Sequence, residues 1–170
     1  MAGVHSGQSI VTCAALLPLI AITACTQSDG TPAPEFLKAA EELAPFEIAL
    51  PDFFPHGMEL VDADVIVPPP GFEMAEDELD RNTQVVLQFA NGDGSAEFVL
   101  YESIAGTSLG DNGVSVVDVD GVEGRSVEDL ERGYLTIAWP GEEIGFLLTG
   151  YMTETLTRDE IMRIAGSIGE

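Results

Sequence analysis

Few residue types in this chain are placed to do chemistry. Gly106-Thr-Ser-Leu-Gly110 matches the G-x-S-x-G spacing of a nucleophile elbow letter for letter. An elbow needs a strand before its serine and a helix after it, so that the hydroxyl stands exposed on a tight turn. Here Asp111-Asn-Gly113 and a valine-rich stretch follow. His56 precedes Ser108, whereas the elbow fold places its histidine last. The pattern therefore reads as a flexible glycine loop, and no catalytic residue is assigned. A second pattern sets Asn91, Asp93, Ser95, Glu97 and Glu102 at positions 1, 3, 5, 7 and 12 of a calcium loop. Its sixth position requires glycine and holds Ala96, and the flanks read as strands rather than helices. A hairpin turn explains the same residues. Beyond Cys25 there is one histidine and no cysteine, too few ligands for zinc, copper or haem. Neither a metal nor a cofactor is expected. Trp139, Phe146 and Tyr151 on alternating strands read as core rather than as the lining of a groove, and His56 in Pro-His-Gly reads as an exposed turn residue.

Charge narrows the partners. The 170 residues contain 30 Asp and Glu against 6 Lys and Arg, a net charge of −24, with Lys38 the only lysine. Such a surface repels nucleic acid and anionic head groups. The acids are spread along the chain, which fits an acidic exported or salt-adapted protein better than binding of a cation or a basic partner. Residues 1–24 read as a signal peptide: Ile10 to Ala24 is apolar, uncharged and too short to span a bilayer comfortably. No Lys or Arg precedes it. The run ends in Ile22-Thr-Ala-Cys25, which resembles the lipobox of bacterial lipoproteins. That resemblance implies cleavage before Cys25 and lipid on its sulfur, hence a protein anchored outside the cytoplasmic membrane or in the periplasm or outer membrane. Cys13 leaves with the signal, so the mature domain has no disulfide to rely on.

Residues 25–34 then form the lipidated cysteine and a polar tether without apolar periodicity. Residues 35–45 predict a short helix, with Phe36, Leu37, Ala40 and Leu43 on one side and Pro45 ending it. From Phe46 to Val67 the chain reads as extended segments broken by Pro51 and Pro55. Pro68-Pro-Pro-Gly71 imposes a turn, and the acidic stretch Glu73 to Arg81 reads as a loop or helical turn. Thr83–Ala90 and Ala96–Ser103 alternate and are joined by Asn91-Gly-Asp-Gly94, a hairpin signature. Val114–Val119 and Val122–Val127 flank Asp120-Gly121 in the same way.

The C-terminal stretch is the most legible. Leu135, Ile137 and Trp139 share one strand face, and Ile144, Phe146 and Leu148 share one on the return after a Pro140–Glu143 turn. Thr157 and Glu160 form a capping box, with Leu156 and Ile161 at the staple positions. Ile161, Met162, Ile164, Ala165 and Ile168 make one apolar stripe. A hairpin and a helix with one greasy side each bury those sides together. Residues 46–170 therefore predict an α+β domain: a curved antiparallel sheet of about six strands packed against a C-terminal helix.

With the strands placed, the order of motifs resembles a group of bacterial envelope domains. Leu50-Pro-Asp-Phe-Phe-Pro-His-Gly-Met-Glu-Leu60 resembles the opening of that group. Its later motifs stand here as Gln84–Tyr101, Val119–Arg125, Leu135–Trp139 and Ala165-Gly-Ser-Ile168. The group includes uncharacterised C-terminal domains of anti-sigma factors and lipoproteins, and is similar to the C-terminal domain of the RseB/MucB regulators. The resemblance implies a non-enzymatic envelope module that senses, regulates or binds an envelope protein partner, and it carries over no catalytic residue. A carrier of lipid or another hydrophobic ligand, with a cavity between sheet and helix, is the alternative.

Overall fold

The structure is a computed structural model, and it describes residues 33–55, 57–68, 75–111 and 113–168. The signal segment, Cys25, most of the tether, His56 and the acidic start of the 73–81 stretch lie outside the described residues. Ala33–Glu170 forms one compact unit. Its elements run α1 (Glu35–Leu43), β1 (Met58–Ile66), α2 (Glu76–Asn82), β2 (Gln84–Asn91), β3 (Glu97–Ser103), β4 (Ser115–Val119), β5 (Val122–Asp129), β6 (Tyr134–Pro140), β7 (Gly145–Tyr151) and α3 (Arg158–Gly166).

All seven strands lie in one antiparallel sheet of order β1-β2-β3-β7-β6-β5-β4. It is two meanders joined along β3 and β7. After β3 the chain crosses to the far edge, starts β4, and folds back strand by strand until β7 reaches β3. The expected count of six strands is corrected to seven, and the addition is β1. Met58 and Leu60 face inward, but a bulge between Leu60 and Asp62 slips the phase, and Ala63 and Val65 then face inward instead. One extra residue breaks the period-2 pattern that marks a strand in sequence.

One sheet face carries the core. Val85, Leu87, Phe98, Leu100, Leu135, Ile137 and Leu148 are buried there, and Phe89 stacks on Phe98 with ring centroids 4.4 Å apart. Over this face lie α1, the extended segment 44–55 and α3. Leu37 and Ala40 of α1 are buried, whereas Leu43, expected on the same side, is 68% exposed because it sits in the last turn, beyond the strand that α1 covers. Helix α3 begins as its sequence dictates. Thr157 N–H donates to Glu160 Oε2 at 2.7 Å, and Glu160 N–H donates back to Thr157 Oγ1 at 3.4 Å. Leu156 and Ile161 are both buried and meet over Gly150, where an added Cβ would lie 3.0 Å from Ile161 Cδ1. Ile164, Ala165 and Ile168 complete the buried stripe, and Met162 packs against it half-buried.

The end of α3 is stitched to the 44–55 segment. Asp52 N–H donates to Ser167 O at 3.1 Å, Phe53 N–H donates to Ser167 Oγ at 3.2 Å, and Pro51 bridges Ile168. The β6–β7 turn falls one residue later than expected: Pro140 pairs with Gly145 as the last residue of β6, and Gly141 N–H donates to Ile144 O at 2.7 Å. Because α3 caps an already paired sheet, Thr157→Ala should lower unfolding free energy by only about 1 kcal/mol in urea titration. Deleting residues 157–170 should abolish the cooperative transition altogether, since Ile161, Ile164 and Ala165 leave with it.

Candidate functional site

The sequence-derived chemical patterns do not assemble into a centre. Ser108 is exposed in the connection between β3 and β4, and the element that follows is a strand rather than a helix. The loop is nonetheless fixed at its start. Thr107 Oγ1 donates to Phe146 O at 2.6 Å, and Ala105 N–H donates to Arg81 O at 3.2 Å. The loop also crosses β7 so closely that a Cβ on Gly145 would lie 2.6 Å from Gly106 Cα. Only glycine fits at Gly145.

The calcium-like residues serve the β2–β3 turn. Asn91 Oδ1 accepts from Ala96 N–H at 3.1 Å, Asn91 Nδ2 donates to Ser95 Oγ at 2.9 Å, and Ser95 N–H donates to Asp93 Oδ1 at 2.9 Å. Hydrogen bonds from Ser95 hold the Asp93 carboxyl below its ordinary range. Glu97 is exposed on the outer sheet face and Glu102 is buried on the inner one, so the five residues do not converge. Among the described residues no group of three or more His, Cys, Asp or Glu is placed to hold a metal. No described helix is long and apolar enough to cross a membrane.

Trp139 and Phe146 are core residues, stacked at 5.2 Å. Tyr151, expected beside them, is 48% exposed on the opposite face, where it meets Tyr134 edge-on at 6.1 Å. The strand phase decides this: Tyr151 is odd where Phe146 and Leu148 are even.

That opposite face is the principal feature. No described helix covers it, and it presents half-buried Val99, Tyr101, Leu147 and Thr149 across the central strands. Thr136 and Thr149 share a hydroxyl hydrogen bond at 3.1 Å in its middle. One end is bounded by the 104–109 loop, forming an open cleft of ≈ 420 Å³ that includes Glu123, Arg125, Glu142 and Glu143. Arg125 pairs with Asp111 at 3.2 Å.

Sequence reasoning missed Glu102. It is fully buried on the core face, between Val85 of β2 and Phe146 of β7. Oε2 accepts from Ala49 N–H at 3.2 Å, and Oε1 has no hydrogen-bond partner among the described residues. Burial outweighs the Ala49 hydrogen bond and pushes the carboxyl from 4.5 up to about 8. It is therefore neutral at pH 7, which spares the sheet a buried charge. The sequence did carry a signal: Phe98, Leu100 and Glu102 share one phase of β3, so an acid stands where the alternation calls for an apolar side chain.

The domain is thus an α+β sheet protein with one face sealed and one face open. No family model matches the sequence, and no curated protein matches it. Among solved structures, the crystal structure of MucB in complex with MucA(peri) shows a remote likeness. It is 14% identical with a TM-score of 0.42, covering 73% of this chain and 36% of that one.

Glu102 sets a pH dependence of known sign. Between pH 6 and 8 the unfolded chain has released this proton and the folded domain still holds it, so stability falls as pH rises. The slope should reach about 1.4 kcal/mol per pH unit in denaturant titrations. In Glu102→Gln, whose amide oxygen still accepts from Ala49, that slope should flatten. Equal slopes in the two proteins would show that Glu102 is ionised in the folded state.

Proposed function

We propose that this protein is a non-enzymatic, membrane-tethered module of the cell envelope that binds a protein partner. The observation that carries the reading is the seven-stranded sheet covered on one side only. Its core face is closed by α1, the 44–55 segment and α3. Its other face keeps Val99, Tyr101, Leu147 and Tyr151 within reach of a partner. Contiguous part-exposed apolar surface with polar margins marks an interaction site more often than a reaction centre. Among the described residues around it, no nucleophile and base stand in contact. The apolar run Ile10–Ala24 and the Ile22-Thr-Ala-Cys25 tetrapeptide supply the address: export, cleavage before Cys25, lipid on that residue, and a tether to residue 34 that lets the domain sample the membrane surface. One acyl chain binds a bilayer only marginally, so firm anchoring requires more than one on Cys25.

A second reading has one observation in its favour. An open groove of ≈ 510 Å³ runs past the end of α3, lined by Val119, Val122, Trp139, Phe146, Ala165 and Ile168. A hydrophobic ligand carrier would use such a groove.

Native mass spectrometry of the full chain, gently extracted from its own membranes, separates the two. The expected spectrum shows a chain beginning at Cys25, bearing acyl mass and a stoichiometric protein partner. A small hydrophobic adduct in place of a protein would move the assignment to the carrier. An unlipidated chain that retains residues 1–24 would sink the envelope assignment.

A further inference from the structure

Strand β4 is where the sheet stops. Among the described residues it pairs with β5 alone. Asp120 and Gly121, with φ of 48° and 85°, join the two strands, and two residues with positive φ make a type I′ turn. Such a turn makes Val119 and Val122 the hydrogen-bonded closing pair. The alternation of an antiparallel ladder then directs the backbone N–H and C=O groups of Val116 and Asp118 outward. These groups form a ready template for another strand.

The two edges of the sheet are built differently. Edge strand β1 carries a bulge between Leu60 and Asp62 and bears Glu59, Asp62 and Asp64. Bulges, charges and covering helices are the devices by which natural sheets block pairing at an edge. Strand β4 is continuous in register and has neither proline nor lysine, and its Val116 is 71% exposed. One edge carries such devices; among the described residues the other pairs with no further strand.

Charge selects the occupant. Asp118 stands directly opposite Glu123 in the register, and Asp120 follows in the turn. Like charges in opposed positions destabilise a strand pair. The cation of this hairpin, Arg125, is already engaged with Asp111. A second copy of the chain would bring the same acids and a net charge of −24 to meet its own. A segment alternating Lys or Arg with apolar residues would instead relieve Asp118 and Glu123 while its backbone completed the ladder.

Resting on the partner-binding reading above, we propose that the outer edge of β4 receives an extended, basic segment of a protein partner by strand addition at Val116 and Asp118.

The test uses the full chain and two short labelled peptides, one alternating Val with Lys and the other Val with Glu. The lysine peptide should bind in fluorescence anisotropy, weaken with added salt, and slow amide exchange at Val116 and Asp118; the glutamate peptide should not bind. Val116→Pro removes an outward N–H and none of the β4–β5 ladder, so it should leave the melting temperature close to that of the parent. It should weaken lysine-peptide binding by about tenfold or more. Asp118→Lys provides a second variant should the proline disturb the hairpin. Equal binding of both peptides, no binding of the lysine peptide, or affinity unaltered by both substitutions would overturn the proposal. So would sedimentation of a dimer that Val116→Pro dissolves, which would seat a second copy on this edge. The partner-binding reading fails separately. A stoichiometric partner that persists in native spectra of Val116→Pro leaves that reading intact and removes β4 from it.

Discussion

The pairing of β3 with β7 converts two meanders into one sheet, and the remaining architecture depends on it. Strands β1–β2–β3 and β4–β5–β6–β7 are each built from neighbours in sequence, so their loops close at little entropic cost. Neither meander has a covered face of its own. Only when Leu100 meets Leu148 and Phe98 meets Gly150 does a continuous apolar surface exist for α3 to cover. Gly150 then admits Ile161 and Leu156 against β7, and α3 also packs on β6 and β4. The crossing loop obeys the same constraint. To bring β4 to the far edge it must pass over β7, and the Gly106–Gly145 contact is the point at which it does so.

Glu102 lies on this seam, paired in register with Val85 on one side and Phe146 on the other. An acid at the junction of two half-sheets is a burden that leucine would not impose, because its Oε1 has no partner among the described residues. Neutralisation reduces the burden, and the Ala49 hydrogen bond ties the 44–55 segment down to the strand beneath it. That same segment is stitched to Ser167 and Ile168 at the end of α3. The carboxyl therefore couples the protonation of one residue to the cover of the whole core.

Most of this fold was legible because its elements obey a single period each. The capping box at Thr157, the Asn91–Gly94 turn and the Asp120-Gly121 turn announce themselves in residue types that the backbone demands there. What escaped did so for identifiable reasons. Strand β1 escaped because its bulge changes phase halfway along. Leu43 escaped because periodicity shows which side of a helix is apolar, not where the surface beneath it ends. Tyr151 was assigned to the core on residue type, although counting from Phe146 puts it on the outer face. Glu102 was counted among the members of a calcium pattern, and its phase within β3 went unused. The position of β4 at an edge is a property of topology, and no local pattern encodes it.

Topology also explains why the open features lie together. A sheet made of two meanders joined at β3 and β7 must end in the first strand of each, β1 and β4. The chain reaches β1 from α1 through the 44–55 segment, and α1 packs back against that strand. It reaches β4 through a long loop that is spent on crossing the sheet, so no preceding helix is at hand to cover it. The helix that follows β7 lies on the core face, against Gly150, β6 and β4. Of the three described helices only α1 and α3 bring buried residues to the sheet, and hydrophobic burial assigns both to the core face. The outer face and the β4 edge are left over by the same geometry, and they meet at the β4–β5 hairpin, where Val116 and Arg125 stand on the open side. A strand added there would lengthen the open face rather than compete with it. The two uncovered features therefore form one continuous surface, bounded by the crossing loop at one end.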